Sequence, residues 1–127
     1  MGITVSDMHH VAVQVADLER SITFYQDTLG LRLQSQDDLS ARGLKKALLR
    51  AGSGTVELLQ YLGQPVPADD GPVAHIAFRV ADIDRAWAEL KKAGVQLEDE
   101  APRELEGGLK IAFLRGPDQE LIELLEP

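Results

Sequence analysis

Cysteine is absent from this chain of 127 residues, which excludes a disulfide framework and any thiolate metal site. Aromatic residues make up only 5%, a poor supply for a site built on stacking. No apolar run approaches the length needed to cross a bilayer. The opening Met1–Asp7 also lacks the basic and apolar regions of a signal peptide. A cytoplasmic protein with no membrane partner is therefore expected. Positive charge is in deficit, with 13 Lys and Arg against 21 Asp and Glu and a net charge of -8. The resulting pI near 4.8 describes a surface that repels phosphate backbones, so nucleic acid is not an expected partner. Arg42, Lys45, Lys46 and Arg50 form the one basic cluster, which reads as a solvated strand face. Met1-Gly2 with Ser6 matches a myristoylation pattern, too short a match to carry weight. What remains is ordinary globular material, 44% hydrophobic and 27% charged, enough for a real core.

The chain carries its own echo. HVAVQVADLE at residues 10–19 returns as HIAFRVADID at residues 75–84, with five of ten positions identical and an offset of 65. VELL at residues 56–59 returns as IELL at residues 122–125, with an offset of 66. Two matches at nearly one offset mark two similar modules, and the one-residue difference reads as a small insertion.

Each module reads alike. Residues 9–15 alternate apolar and polar as a strand does. Asp17 then caps a helix whose stripe is Leu18, Ile22, Tyr25 and Leu29, with Gly30 as its stop. The second module offers a strand at 74–80, the cap Asp82, the stripe Ile83, Trp87 and Leu90, and the stop Gly94. Strands follow each helix, at 31–37, 43–50 and 55–61, then at 95–99, 109–115 and 120–125. Gly52–Gly54 and Gly116–Asp118 turn the last pairs. Gln64–Pro72 breaks both periodicities and reads as a linker. The expected fold is α+β: one domain over 1–127, with module one at 1–64, a linker at 65–71 and module two at 72–127. Two βαβββ modules side by side would make a curved eight-stranded sheet around a cleft, with helices on the convex side.

Strand parity sorts the side chains. Val11, Val13 and Val15 share the face under the helix, and His10, Ala12 and Gln14 share the other. The second module sets Ile76, Phe78 and Val80 against His75, Ala77 and Arg79. Glu57 aligns with Thr55, Leu59 and Tyr61, and Glu123 with Leu121 and Leu125. A carboxylate among apolar neighbours costs several kcal/mol unless it is paired or bound to a cation. His10, Glu57, His75 and Glu123 therefore make an N2O2 set whose charge of −2 a divalent ion neutralises. Without thiolates the ion is Zn, Ni, Co, Mn or Fe. Two plainer readings stand beside this one: hydrogen-bonded structural histidines, and glutamates paired with Arg79 or Arg115. His9 has the opposite parity to His10 and is not expected to be a ligand.

These residues resemble the vicinal oxygen chelate superfamily, the glyoxalase/bleomycin resistance protein/dioxygenase group. The segments that carry the resemblance are residues 10–25 with Leu29–Leu31, residues 75–82, and Ala112-Phe113 with Pro117-Asp118 and Ile122–Leu124. Carried over position by position, the resemblance puts the family's metal ligands on His10, Glu57, His75 and Glu123. Gln119 stands where many members carry Gly, which implies a different turn conformation. The resemblance also implies a homodimer acting on a small molecule.

Among the family's chemistries, glyoxalase I and methylmalonyl-CoA epimerase share one logic. A metal-dependent enzyme of that kind, an isomerase or lyase, moves a proton next to a carbonyl through an enediolate, with a ligand carboxylate as base. Glu123 and Glu57 are the candidates. Gln14 and Tyr61 replace the Arg and Asn that hold glutathione in short bacterial glyoxalases, which weakens a glutathione substrate. Two alternatives remain: a metal-free, antibiotic-type binding protein, and an extradiol dioxygenase, in which a fourth ligand at Glu57 would fill an oxygen position.

Overall fold

A computed structural model describes residues 2, 8–67 and 75–127. Met1 and Ser6 of the myristoylation pattern, most of the linker (68–72) and position 74 of the second module's first strand lie outside the described residues. The chain divides into two compact units, Met1–Pro65 and Val66–Pro127.

The first unit runs β1 (Val11–Gln14), α1 (Leu18–Thr23), a π turn (Phe24–Thr28), β2 (Arg32–Leu39), a 3-10 turn (Ser40–Arg42), β3 (Leu44–Ala51) and β4 (Gly54–Tyr61). Its sheet has the order β1-β4-β3-β2, with β1 parallel to β4 and the other pairs antiparallel. The helix packs on β3 and β4. Leu18, Ile22 and Tyr25 meet Ala47, Leu49, Val56 and Leu58 in a buried core. The opposite face carries no helix, and alternation along β4 puts Glu57 there with Thr55, Leu59 and Tyr61.

The helix is not the uniform one the periodicity implies. The Leu29 N–H bonds to the Phe24 carbonyl five residues back, at 3.1 Å, a widened turn that takes up one extra residue. Tyr25 stays fully buried through it. Gly30, at φ 80, then ends the segment in the left-handed conformation that glycine adopts without strain.

The second unit runs β5 (Ile76–Arg79), α2 (Ile83–Lys92), β6 (Gln96–Leu97), β7 (Arg103–Glu104), β8 (Lys110–Arg115) and β9 (Leu121–Glu126). Its order is β5-β9-β8-β6, with β7 also on β8. Helix α2 packs on β8 and β9, burying Ile83, Trp87 and Leu90. The Trp87 indole N–H has no hydrogen-bond partner among the described residues, a desolvation cost of about 1–3 kcal/mol.

Here the strand count departs from expectation. The described residues hold nine strands in a four-stranded and a five-stranded sheet, where eight were expected. The strand expected at 95–99 is only Gln96–Leu97, and β7 follows after a gap. Pro102 lies in that gap, and proline has no N–H to give a ladder. The break leaves the Phe113 N–H without a backbone acceptor, and Asp99 Oδ2 takes it at 2.7 Å.

Both helices start by one device. Asp17 accepts the Arg20 N–H at 3.2 Å and Asp82 the Arg85 N–H at 3.1 Å, as N-caps do. A second donor of each first turn goes to the last strand of its own sheet. Leu18 N–H bonds Gln60 Oε1 at 2.9 Å, and Ile83 N–H bonds Glu126 Oε1 at 2.8 Å. Gln60 and Glu126 each lie three residues beyond the glutamate on the open face, so parity turns them toward the helix.

The closing turn answers the expectation about Gln119. Among the described non-glycine residues it alone has a positive φ, 68. Gln119 thus holds a left-handed conformation, which costs a side chain more than it costs glycine. The substitution changes the cost of the turn.

Candidate functional site

In each unit the parallel strand pair sets the geometry. Ala12 is the register partner of Glu57, and Ala77 of Glu123. A methyl group beside each glutamate leaves its carboxylate uncovered from that side. The histidine two residues earlier reaches over the alanine. His10 Nε2 stands 3.7 Å from Glu57 Oε1, and His75 Nε2 stands 3.4 Å from Glu123 Oε1. The glutamate side chains are 16% and 15% exposed and both imidazoles 39%. Each unit thus sets one partly exposed imidazole beside one largely desolvated carboxylate.

Those separations exceed the usual N–H···O range of about 2.7–3.2 Å. Two donors each about 2.1 Å from one ion stand about 3.0 Å apart at an octahedral angle and about 3.4 Å apart at a tetrahedral one. The His75–Glu123 pair already matches the wider spacing, and the His10–Glu57 pair needs to close by a few tenths of an ångström. Donor type and spacing both fit a borderline divalent cation.

Of the sequence-predicted residues, the structure brings His10 to Glu57 and His75 to Glu123. Among the described residues no group of three or more His, Cys, Asp or Glu side chains gathers as a metal-holding cluster. Each unit by itself offers a pair. Arg115, considered as a partner for the glutamates, is engaged at the start of the last turn. Arg115 Nε bonds Glu98 Oε1 at 3.0 Å and its Nη1 bonds the Gln119 carbonyl at 2.9 Å. The basic cluster is partly answered by acids: Lys45 faces Asp38 and Lys46 faces Asp37 across β2 and β3. The Ser40 hydroxyl and N–H, then the Lys45 charge, hold the Asp38 carboxyl below the ordinary carboxylate range.

Two residues stand beside the pairs in places that the sequence reading did not anticipate. His9 Nδ1 lies 2.9 Å from His10 Nδ1, with the rings edge-on at 5.1 Å between centroids. Strand parity had turned His9 away from His10. The ladder begins only at Val11, so alternation does not govern residue 9. In the second unit, Phe113 meets His75 edge-on at 5.8 Å. Phe113 is also the cross-strand partner of Glu123, as Leu48 is of Glu57. Projecting the internal repeat onto β3 and β8 would have found it.

Comparison with known proteins agrees with this architecture. The family model of the Glyoxalase/Bleomycin resistance protein/Dioxygenase superfamily matches residues 7–124. Lactoylglutathione lyase of Haemophilus influenzae is 32% identical over 121 residues, covering 92% of this chain and 90% of the lyase. Mitochondrial methylmalonyl-CoA epimerase of Mus musculus is 33% identical over 102 residues, covering 74% of this chain and 57% of the epimerase. The chain thus spans little more than half of that enzyme. The solved structure of trypanothione-dependent glyoxalase I from Leishmania major superposes with a TM-score of 0.81 at 31% identity, covering 96% of this chain and 87% of that one. Among the described residues, no helix is long and apolar enough to cross a membrane.

Proposed function

The chain belongs to the glyoxalase/bleomycin resistance protein/dioxygenase superfamily, and from that premise we propose that it is a divalent-metal-dependent enzyme moving a proton next to a substrate carbonyl. His10, Glu57, His75 and Glu123 are the residues that would hold the ion. When bound, a divalent ion supplies Lewis-acid stabilisation of negative charge on the substrate oxygen. Glu123 takes the proton from the carbon beside the carbonyl, and the electron pair left behind delocalises onto the carbonyl oxygen. Glu123, now protonated, returns the proton to the neighbouring carbon, which gives isomerisation; Glu57, once it has taken a proton from water, delivers it to the opposite face of the original carbon, which gives epimerisation. His10 and His75 contribute as neutral rings, each offering a lone pair and no charge.

The observation that supports this reading is the repeated pair. One His Nε2 faces one Glu Oε1 in each unit, at 3.7 and 3.4 Å, spacings suited to sharing a cation. We also propose a homodimer, supported by the end positions of β1 and β5 in the strand orders of their sheets. A sedimentation mass near 13.9 kDa at micromolar concentration would rule the dimer out.

The chemical test follows solvent deuterium into 2-hydroxy-carbonyl compounds and acyl thioesters, with Zn, Ni, Co, Mn or Fe(II) present and then chelated. Metal-dependent exchange at one carbon is expected. Full exchange after complete chelation overturns the metal reading. The competing reading is a metal-free binding module, favoured by the Phe113 ring set beside His75. Tight binding of a small molecule by the chelated protein, with no exchange in any metal, would establish it.

A further inference from the structure

We propose that Lys46 anchors an anionic group of the substrate, a carboxylate or a phosphate set a few carbons beyond the carbon that loses its proton. Ala47 and Leu49 are buried on the helix side of β3, so Lys46 and Leu48 stand on its open face. Leu48 is the cross-strand partner of Glu57, and Lys46 is that of Leu59. Gln14 flanks the same Leu59 from β1. Lys46 therefore lies one row along from Glu57, about 6.4–6.8 Å in the strand direction, and one strand across.

Three observations set this lysine apart. It is half-buried. Among the described residues it makes no hydrogen bond and no ion pair, although Asp37 is its register partner on β2. By contrast, Lys110 Nζ reaches Asp84 at 3.3 Å and Arg115 Nε reaches Glu98 at 3.0 Å. The third observation comes from the repeat. Ile111 holds the equivalent place on β8, opposite Leu125, and is only 7% exposed. The fold accepts an apolar residue there, so the charge of Lys46 answers to something other than packing. Its neighbours on the face, Leu44, Leu48 and Leu59, offer the ammonium no acceptor. A cation partly withdrawn from water gains most from an anion brought to it by a ligand. The proposal deepens the proton-transfer reading and rests on it for the place of the reacting carbon.

The test uses the whole chain, loaded with each of the metals in turn and then chelated. The probe is 2-oxoglutarate, with its C5 methyl ester and 2-oxo-4-phosphonobutyrate as matched compounds that differ only in the distal group. Affinity is read from amide shifts in proton–nitrogen NMR titrations, which also report that each variant is folded. Deuterium exchange at C3 is followed separately. The acid or the phosphonate should bind roughly 10–100-fold more tightly than the ester, and the tighter of the two identifies the group. Lys46→Met removes the charge, keeps the length of the stem, and should erase the preference. Lys46→Arg should keep it. So should Arg79→Met, which removes the exposed cation at the place equivalent to Gln14. Equal binding of acid, phosphonate and ester by the unaltered protein, or binding of none, would overturn the proposal, as would a preference that survives Lys46→Met. If the preference follows Lys46 and no compound exchanges with any metal, the anion site stands and the proton-transfer reading fails. If all three compounds exchange alike with equal affinity, that reading stands and Lys46 has no part in recognition.

Discussion

The two halves agree at the His–Glu pairs and the helix starts and differ at edges and turns. Both keep the His–Ala–Glu arrangement, the aspartate cap, and a final-strand side chain on the helix N-terminus. The edge beside the third strand is an eight-residue strand in the first half, Arg32–Leu39, and two fragments in the second, Gln96–Leu97 and Arg103–Glu104. The helix carries a π turn in the first half and runs as a plain α-helix in the second. Ile22 is answered by Trp87, Leu48 by Phe113, and His9 by Ala74. The shared parts are bound by several partners at once, so a change there breaks more than one interaction. An edge or a turn has one neighbour, and it can change alone.

These differences also account for the uneven offset. The π turn gives the first half an extra residue, so the stop glycines Gly30 and Gly94 lie 64 apart. Across β3 and β8 the spacing is back to 65, since Leu48 and Phe113 hold equivalent places beside Glu57 and Glu123. The last turn of the second half is one residue longer than its counterpart, and β4 and β9 follow at 66.

The largest way to break the likeness is chemical. Glu123→Gln should leave the fold intact and lower proton exchange at the substrate carbon by roughly 10²–10⁴-fold. Glu57→Ala should chiefly weaken metal binding, seen as activity regained at higher metal concentration. Equal loss in both, with no rescue by metal, would mean that the halves share one role.

The core should prove the more symmetric part. Leu58 and Leu124 are repeat equivalents, both buried. Replacing either by Ala should cost about 2–5 kcal/mol, measured by urea unfolding. A difference beyond that range would show that one half packs loosely.

Asp99 sharpens the contrast at the edges. Asp99→Ala removes the acceptor of the Phe113 N–H and should cost about 1–3 kcal/mol. Hydrogen exchange at that amide should accelerate. The matching amide in the first half, Leu48, belongs to the pairing with Ser35 beside a register shift, and Asp99→Ala should leave its protection unchanged.

The smallest effect is expected at Gln119. A glycine there meets no left-handed penalty, so Gln119→Gly should stabilise by about 0.5–1 kcal/mol, read as a small rise in Tm. The reverse kind of change, Gly30→Gln, should destabilise the π turn.

The sequence by itself determined the two modules, the order of strand, helix and strands within each, the faces of the strands, and the four residues of the two pairs. Those features are local or periodic: alternation of period two, a capping aspartate, a stop glycine and a repeat at constant spacing need no knowledge of what lies opposite. Tertiary structure decided the rest. That Gln60 and Glu126 hold the helix starts, that Asp99 fills a gap in the ladder, and that the helix widens around Tyr25 all depend on distant neighbours. His9 is the plainest case. Its place beside His10 depends on where the β ladder begins, and a ladder begins where a second strand arrives to pair with it. In β1 that strand is β4, whose Val56, more than forty residues further along the chain, meets Val11 and leaves residue 9 free to turn toward its neighbour.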